Sequence, residues 1–544
     1  MGLAIASSAV GRRRFALPSA RSAILIVAFT LFILLCALPV VWMLGVSLIS
    51  ADGSLSFSHY YRLLAEPRQR DLLLTSVLLG AGTAVFATLI GAPLGLLLAR
   101  AELPIKRLLR LALVVPLLIL PYLLALAWIY ISGSAGIIAQ AFGRDLFSEW
   151  TYSLAGAIGV LGVSFYPLSM LATEAAARRV DARLEEAALL VAHPRRVLWR
   201  ITLPLITPSI TAAALIIFVL AVSEFGVPGL LRVPVFTTEV FTAFAALYDF
   251  GAATSLAVPL LAVTLMASLA AKAVMGDRLL VARRSLQTGL PLALGRRRAL
   301  VLLAMSLVIV IFVALPIAVL ALEAGHVSRI ISALSQSRHA IINSLTLSTV
   351  GATLIVMLAV LLGYGGARAS RRWRSLTDLV FILIFAVPST VVGVGLIGLW
   401  NRSGFLGGVY RSQMIVIFAY LARFLPVAAL ILTTSIRQVP AAFEEAAQVA
   451  GASWPRLFTR IVLPNILTGI SAAWVVAFIF AFGELGATVL VAPPGESTLP
   501  VRVYTLIANT PSREVAALAL MQIVIILVPL ALFSIFARRK GGQP

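Results

Sequence analysis

Twelve apolar stretches, each long enough to cross the hydrocarbon core of a bilayer, recur along the chain at 23–48, 73–99, 111–131, 153–173, 208–231, 253–274, 299–322, 343–364, 379–400, 413–435, 468–491 and 515–537. About 20 apolar residues suffice for one crossing. In hydrocarbon every backbone amide needs an internal partner, so the segments are expected to be helices. The alternative, a barrel, requires short alternating segments, and this sequence lacks them. Only 12% of residues are charged, against about 25% in a soluble domain. The expected fold is an all-α polytopic membrane protein of twelve transmembrane helices.

The first stretch follows Arg12, Arg13, Arg14 and Arg21, as in a signal peptide, but runs uncharged from Ser22 to Ala51. That is too long for a cleaved apolar region, so it is read as a retained helix. It holds the single cysteine, Cys36, which has no partner for an intramolecular disulfide. The net charge is +22, and its placement matters more than its size. With the N-terminus in the cytoplasm and twelve crossings, the inner loops collect most of the lysine and arginine, while the outer loops are close to neutral. That asymmetry is the positive-inside pattern. It places both termini in the cytoplasm and assigns the basic excess to topology and anionic lipid; no nucleic-acid partner is expected.

The chain repeats itself. Glu185-Glu186-Ala187-Ala188, leading to Ile201-Thr202-Leu203-Pro204, returns as Glu444-Glu445-Ala446-Ala447, leading to Ile461-Val462-Leu463-Pro464. Ser76–Arg100 parallels Ser344–Arg368, both ending in Ala-Arg; Leu38-Pro39 parallels Leu315-Pro316; Ser223-Glu224-Phe225-Gly226 parallels Gly483-Glu484-Leu485-Gly486. Pro121 and Pro388 are each expected in mid-helix. Six helices return the chain to its starting side, so the two repeats are parallel, related by an axis along the membrane normal. The expected halves are 1–285, with a polar loop at 178–207, and 286–544, with one at 437–467. The basic stretch 272–298 reads as the linker.

The second loop has the spacing Glu-Ala-Ala, three residues, Gly, nine residues, Ile-x-Leu-Pro, as Glu445-Ala446-Ala447, Gly451, Ile461, Leu463 and Pro464. It resembles the EAA loop of permease subunits of bacterial binding-protein-dependent ABC importers of the type I fold. Two such loops in one chain resemble the fused permeases of the ferric-iron group, with thiamine-type permeases a second fused example. Locally, the acids suit a helix start, Pro440 suits a first turn, and Gly451 can end the helix at positive φ. The resemblance implies that Glu185, Glu186, Ala187, Ala188, Glu444, Glu445, Ala446, Ala447 and Gly451 transmit closure of a cytoplasmic ATPase dimer. The first loop departs from the pattern, with Ala192 in place of the glycine and Pro194 as the candidate for the turn, which leaves open whether the two loops couple equally.

Charges inside spans are functional candidates by default. Glu224 and Glu484 stand at equivalent places near the outer ends of the fifth helix of each half. Either they form a paired acidic site on the central seam, or each accepts backbone amides freed by Gly226 and Gly486. Arg423 either pairs with Glu484 or binds an anionic group; pairing is preferred, because a lone arginine at that depth costs about 2.5–3.5 kcal/mol. The outer stretches 227–241 and 492–500 are either the rim that meets a substrate-binding protein in the family, or plain connections.

None of the three lysines, Lys106, Lys272 and Lys540, follows a glycine, so there is no phosphate-binding loop of the Gly-Lys type, and if ATP drives transport a separate ATPase subunit must supply it. The four histidines, His59, His193, His326 and His339, lie in loops without further metal-ligand spacing. No catalytic cluster, cofactor or metal site is expected. The sequence therefore reads as an inner-membrane permease, with ferric iron as the first choice of cargo and thiamine, a polyamine or an aminophosphonate as alternatives. A gradient-driven carrier is the rival class; it would need no paired inner loops.

Overall fold

The computed structural model describes residues 20–48, 65–246, 250–275, 294–507 and 512–541. The Arg12–Arg14 run, most of the expected linker and the 285/286 boundary lie outside these residues. Every regular element among the described residues is helical. Among the described residues, ten helices are long and apolar enough to cross a membrane, or up to twelve if two bent pairs each count as one crossing.

The helices that matter here are α1 (Arg21–Ser47), α2 (Pro67–Arg100), α3 (Lys106–Leu118), α4 (Pro121–Ser132), α5 (Leu154–Ala177), α6 (Ala182–Leu189), α7 (Pro194–Val222), α8 (Gly251–Val274), α9 (Arg298–Ala324), α10 (Arg338–Arg368), α11 (Arg371–Phe385), α12 (Ser389–Trp400), α13 (Met414–Arg437), α14 (Ala441–Val449), α15 (Trp454–Asn465), α16 (Leu467–Phe482) and α17 (Ser512–Gly541). Helix α2 packs along α5, and α10 along α13, with α7 and α16 completing the corresponding clusters.

Each Leu-Pro pair of the repeat has the same local consequence. A five-residue π-helical stretch precedes it: Ile33–Ala37 before Leu38-Pro39, Leu198–Thr202 before Leu203-Pro204, Val310–Ala314 before Leu315-Pro316, and Phe458–Val462 before Leu463-Pro464. Proline has no N–H to donate, and its ring crowds the carbonyl four residues back. A widened turn accommodates that carbonyl without ending the helix.

Pro121 and Pro388 behave differently from expectation, and this corrects the third and ninth spans. Neither lies in mid-helix. Pro121 opens α4 after the extended Leu120, and Pro388 sits just ahead of α12. The residue before a proline is pushed toward extended backbone, so the chain breaks there, and α11 and α12 meet at 91°. The fifth and eleventh spans also end earlier than expected, at Val222 and Phe482. Both glutamates therefore lie just beyond their helices.

The first helix of each half crosses to the other half. The Leu38–Ser47 part of α1 packs on α12, and the Leu315–Ala324 part of α9 packs on α4. Phe32 meets Phe381 edge to face at 5.2 Å, and a Cβ on Gly395 would lie 2.6 Å from the Pro39 carbonyl oxygen, so only glycine admits this approach. The interior beneath is mostly apolar, with Tyr166, Tyr364 and Tyr420 among its largest fully buried side chains.

Candidate functional site

Two polar loops and one cavity hold the expected functional residues. In the first loop, Asp181 caps α6 by accepting the Arg183 amide at 3.0 Å. In the second, α14 begins after Pro440 and ends at Val449, two residues before Gly451, whose φ is +78°. The Ala452 amide then donates to the Ala447 carbonyl at 2.9 Å, closing the helix end through a left-handed residue. The first loop turns without such a residue: His193 precedes the first turn, and Pro194 occupies it.

Successive residues on a helix point about 100° apart, and this divides each Glu-Glu pair. Glu185 and Glu444 are buried; Glu186 and Glu445 are exposed. Arg100, the last residue of α2, places Nη2 2.9 Å from Glu185 Oε1, and Thr202 donates its hydroxyl to the same oxygen at 2.7 Å. Arg368, the last residue of α10, donates from Nε to Glu444 Oε1 at 2.7 Å and from Nη2 to the Val439 carbonyl at 3.0 Å. The Tyr364 hydroxyl donates to Glu444 Oε2 at 2.9 Å, and the Tyr364 ring is enclosed by Trp454, Phe458 and Arg21. The first half has Leu96 in the corresponding place. Both arginines also suit the negative end of their helix.

Sequence reasoning had missed Arg100, Arg368 and Tyr364. The signal was present as the Ala-Arg ending shared by two otherwise charge-free helices; pairing with the loops appears only in three dimensions. The outer surfaces of the loops are unexpectedly apolar. Leu190 and Val449 are 87% and 91% exposed, and Trp199 lies nearby in the first loop with most of its surface bare. Ala187 and Ala446 are exposed beside them, while Ala188 and Ala447 are half-buried.

Between the two halves lies a cavity of about 280 Å³ that brings together Glu224, Glu484 and Arg423, with Tyr122, Ser389 and Phe480 among its walls. Glu224 Oε1 accepts the amides of Gly226 and Val227 at 3.1 and 3.2 Å. Glu484 accepts the amides of Ala487 and Thr488 at 3.0 and 2.8 Å, and the Thr488 hydroxyl at 2.6 Å. Each acid thus caps amides freed where its helix stops and also lines the shared cavity. Arg423 departs from the preferred expectation. Among the described residues it forms no ion pair; it donates from Nη1 to the Val387 carbonyl at 2.8 Å. The break at Pro388 frees that carbonyl from the helical ladder.

At the opposite end of α2 and α10, Ser76 accepts the Phe236 amide at 2.9 Å and Ser344 the Leu499 amide at 2.6 Å. These bonds hold the segments after each glutamate in matching positions. The second is secured further by Glu496, which accepts from Asn343 at 2.9 Å and from Gln413, with His339 at 3.8 Å. Those hydrogen bonds, Asn343 first, hold the Glu496 carboxyl below the usual carboxylate range. A depressed carboxyl contributes stability above its unfolded value and loses it as pH falls through its folded value. Once the far slower intrinsic exchange at acid pH is divided out, the amides of segment 492–498 are therefore expected to show lower protection factors at pH 3 than at pH 7, read by hydrogen–deuterium exchange, with Glu496→Gln removing most of the difference.

The sequence profile of the family described as "Binding-protein-dependent transport system inner membrane component" matches residues 355–542, which include the second loop. Over 522 residues the chain is 27% identical to the Fe(3+)-transport system permease protein FbpB 2 of Haemophilus influenzae, covering 93% of this chain and 98% of that one. It is 31% identical over 208 residues to the molybdenum transport system permease protein ModB of Escherichia coli, covering 36% of this chain and 89% of ModB. It is 30% identical over 197 residues to the putative 2-aminoethylphosphonate transport system permease protein PhnV of Salmonella typhimurium, covering 34% and 71%. With its many apolar helices and paired loops, the chain belongs to the family of inner-membrane permease components of binding-protein-dependent transport systems.

Proposed function

We propose that the chain holds both halves of an ABC importer permease, 1–285 and 286–544, and that it carries ferric iron inward from a substrate-binding protein. Both termini lie in the cytoplasm, and an ATPase dimer docks on the two loops. The observation that carries the reading is the loop anchor: each half fixes an exposed, apolar-tipped helix to the end of a long membrane helix through a buried glutamate–arginine pair. A lever needs such a rigid joint, and an exposed apolar surface rimmed by polar residues marks a partner site. The iron cargo is supported by the likeness to the Haemophilus permease, which covers nearly the whole chain. Segments 227–241 and 492–500 are the rim on which the binding protein sits.

Co-purification tests the class: a stable ATPase partner is expected, whereas proton-driven uptake by the chain alone would make it a carrier. Gly451→Val tests the loop. A β-branched residue at φ +78° strains the backbone by about 1–2 kcal/mol and tilts the apolar tip. Expected in proteoliposomes with the ATPase and binding protein is continued ATP hydrolysis with uptake lowered by roughly tenfold, a change that corresponds to about 1.4 kcal/mol. Glu445→Ala is expected to uncouple in the same direction. Unchanged uptake in both variants would remove the loop from the coupling path.

A further inference from the structure

We propose that the central cavity takes its solute as an anion, with an oxygen of that solute held by Arg423; this rests on the importer reading above and takes the cavity between the halves as part of its transport route. Three charged groups line the cavity, and their hydrogen bonding separates them. Both oxygens of Glu484 already accept donors from Ala487 and Thr488. Glu224 spends Oε1 on two amides. Amides aimed at a carboxylate spread its charge into fixed dipoles and occupy the lone pairs a cation would need. Arg423 is in the opposite condition. A guanidinium has five N–H donors, and the one bond it makes among the described residues is to the Val387 carbonyl.

Burying an arginine without a carboxylate in contact is costly. The neighbouring charges of Glu484 and Glu224 offset that cost from a distance without consuming the donors. What the cavity offers an incoming solute is therefore mainly an unspent planar fork, which suits oxyanions and carboxylates. A bare metal cation would find the reverse: among the described residues there is no group of three histidine, cysteine or acidic side chains able to hold one. Iron would then pass as a negatively charged chelate, and a free oxyanion would satisfy the same chemistry.

The charge preference can be read without ATPase, binding protein or transport, so it stands or falls separately from the coupling loops. Cys36, the single native thiol, is replaced by alanine, and Phe480, which lines the cavity, by cysteine; Ser389→Cys is the second reporter. In lipid nanodiscs the new thiol is modified with a sulfonate-bearing and a quaternary-ammonium methanethiosulfonate, each normalised to its rate with free thiol. A unit charge within about 10 Å at an effective dielectric of about 20 changes such a rate about tenfold. The expected result is a sulfonate preference of about that size, kept in Arg423→Lys and reversed in Arg423→Gln, where Glu224 and Glu484 remain. Protection is then measured with inorganic phosphate, ferric citrate and thiamine at millimolar concentration. Slowing by phosphate identifies a free oxyanion; slowing by ferric citrate alone identifies an anionic chelate. A preference for the cationic reagent, no modification at either reporter, a preference unmoved by Arg423→Gln, protection by thiamine alone, or protection by none of the three would overturn the proposal.

Discussion

Arg368→Met is expected to cost about 3–5 kcal/mol of stability, the usual penalty for stripping a buried ion of its partner. The charged ends are 15% and 8% exposed, so water can do little to solvate Glu444 once the guanidinium is gone. The carboxylate would keep only the Tyr364 hydroxyl. The α14 helix should then detach from the end of α10, and uptake should fall by at least about a hundredfold, since each tenfold corresponds to about 1.4 kcal/mol. Thermal unfolding of the purified chain in nanodiscs reads the first effect, and transport in proteoliposomes the second. Replacing both partners, Arg368→Met with Glu444→Met, should recover much of the stability, because no charge is left stranded. It should not recover uptake, because the joint is still absent. Arg100→Met should be milder. Arg100 keeps Nε and Nη1 buried without a partner among the described residues, so its removal also relieves a desolvation penalty. Equal losses at Arg100 and Arg368 would contradict this account of the two joints.

Gly95→Leu should prevent the first half from packing at all. A Cβ at Gly95 would overlap the Met170 carbonyl oxygen, and one at Gly91 the Tyr166 carbonyl oxygen. In both cases the obstacle is backbone of α5, which cannot rotate away as a side chain can. Two small residues four apart let membrane helices approach closely, and the hydrophobic effect supplies little drive between helices in lipid to offset a lost fit. Overpacking in a tight interior costs about 1–3 kcal/mol even when atoms can shift; here two whole helices must separate. The expected outcome is a chain that inserts but gives no monodisperse peak by size exclusion in detergent. Gly363→Ala, the counterpart in α10, is the control. Its nearest neighbour is the Thr433 amide nitrogen at 3.0 Å, a distance that small shifts relieve, so a folded protein with a slightly lowered unfolding temperature is expected. Normal folding of Gly95→Leu would show that α2 and α5 do not need this contact.

Much of the architecture was legible because membranes impose few options. Apolar length implies helices, and the twice-written Leu-Pro, Ala-Arg and Glu-Glu-Ala-Ala strings mark corresponding places. The errors share one cause. Pro121 and Pro388 lie inside continuous apolar stretches, and hydropathy does not register a change of direction, so spans that break and bend were read as straight. Glu224 and Glu484 were found, yet their orientation was left open, because an acid beside a glycine at a helix end can turn toward either the amides or the seam. Here each caps amides and also lines the shared cavity. Arg423 was assigned to Glu484 on the cost of an isolated charge. The carbonyl that actually receives it, Val387, is free only because the chain breaks one residue later.

What the sequence by itself determined is the membrane-spanning helical class, the approximate positions of the crossings, the duplication and the location of the polar loops. These follow from the free energy of placing residues in lipid or water, which acts locally along the chain. The tertiary structure alone decided which glutamate of each pair is buried, which arginine holds it, that the first helix of each half crosses to the other, and that three distant charges share one cavity. Those outcomes depend on the angle at which helices meet and on which donors remain after backbone hydrogen bonding is complete. Both are properties of segments brought together from hundreds of residues apart.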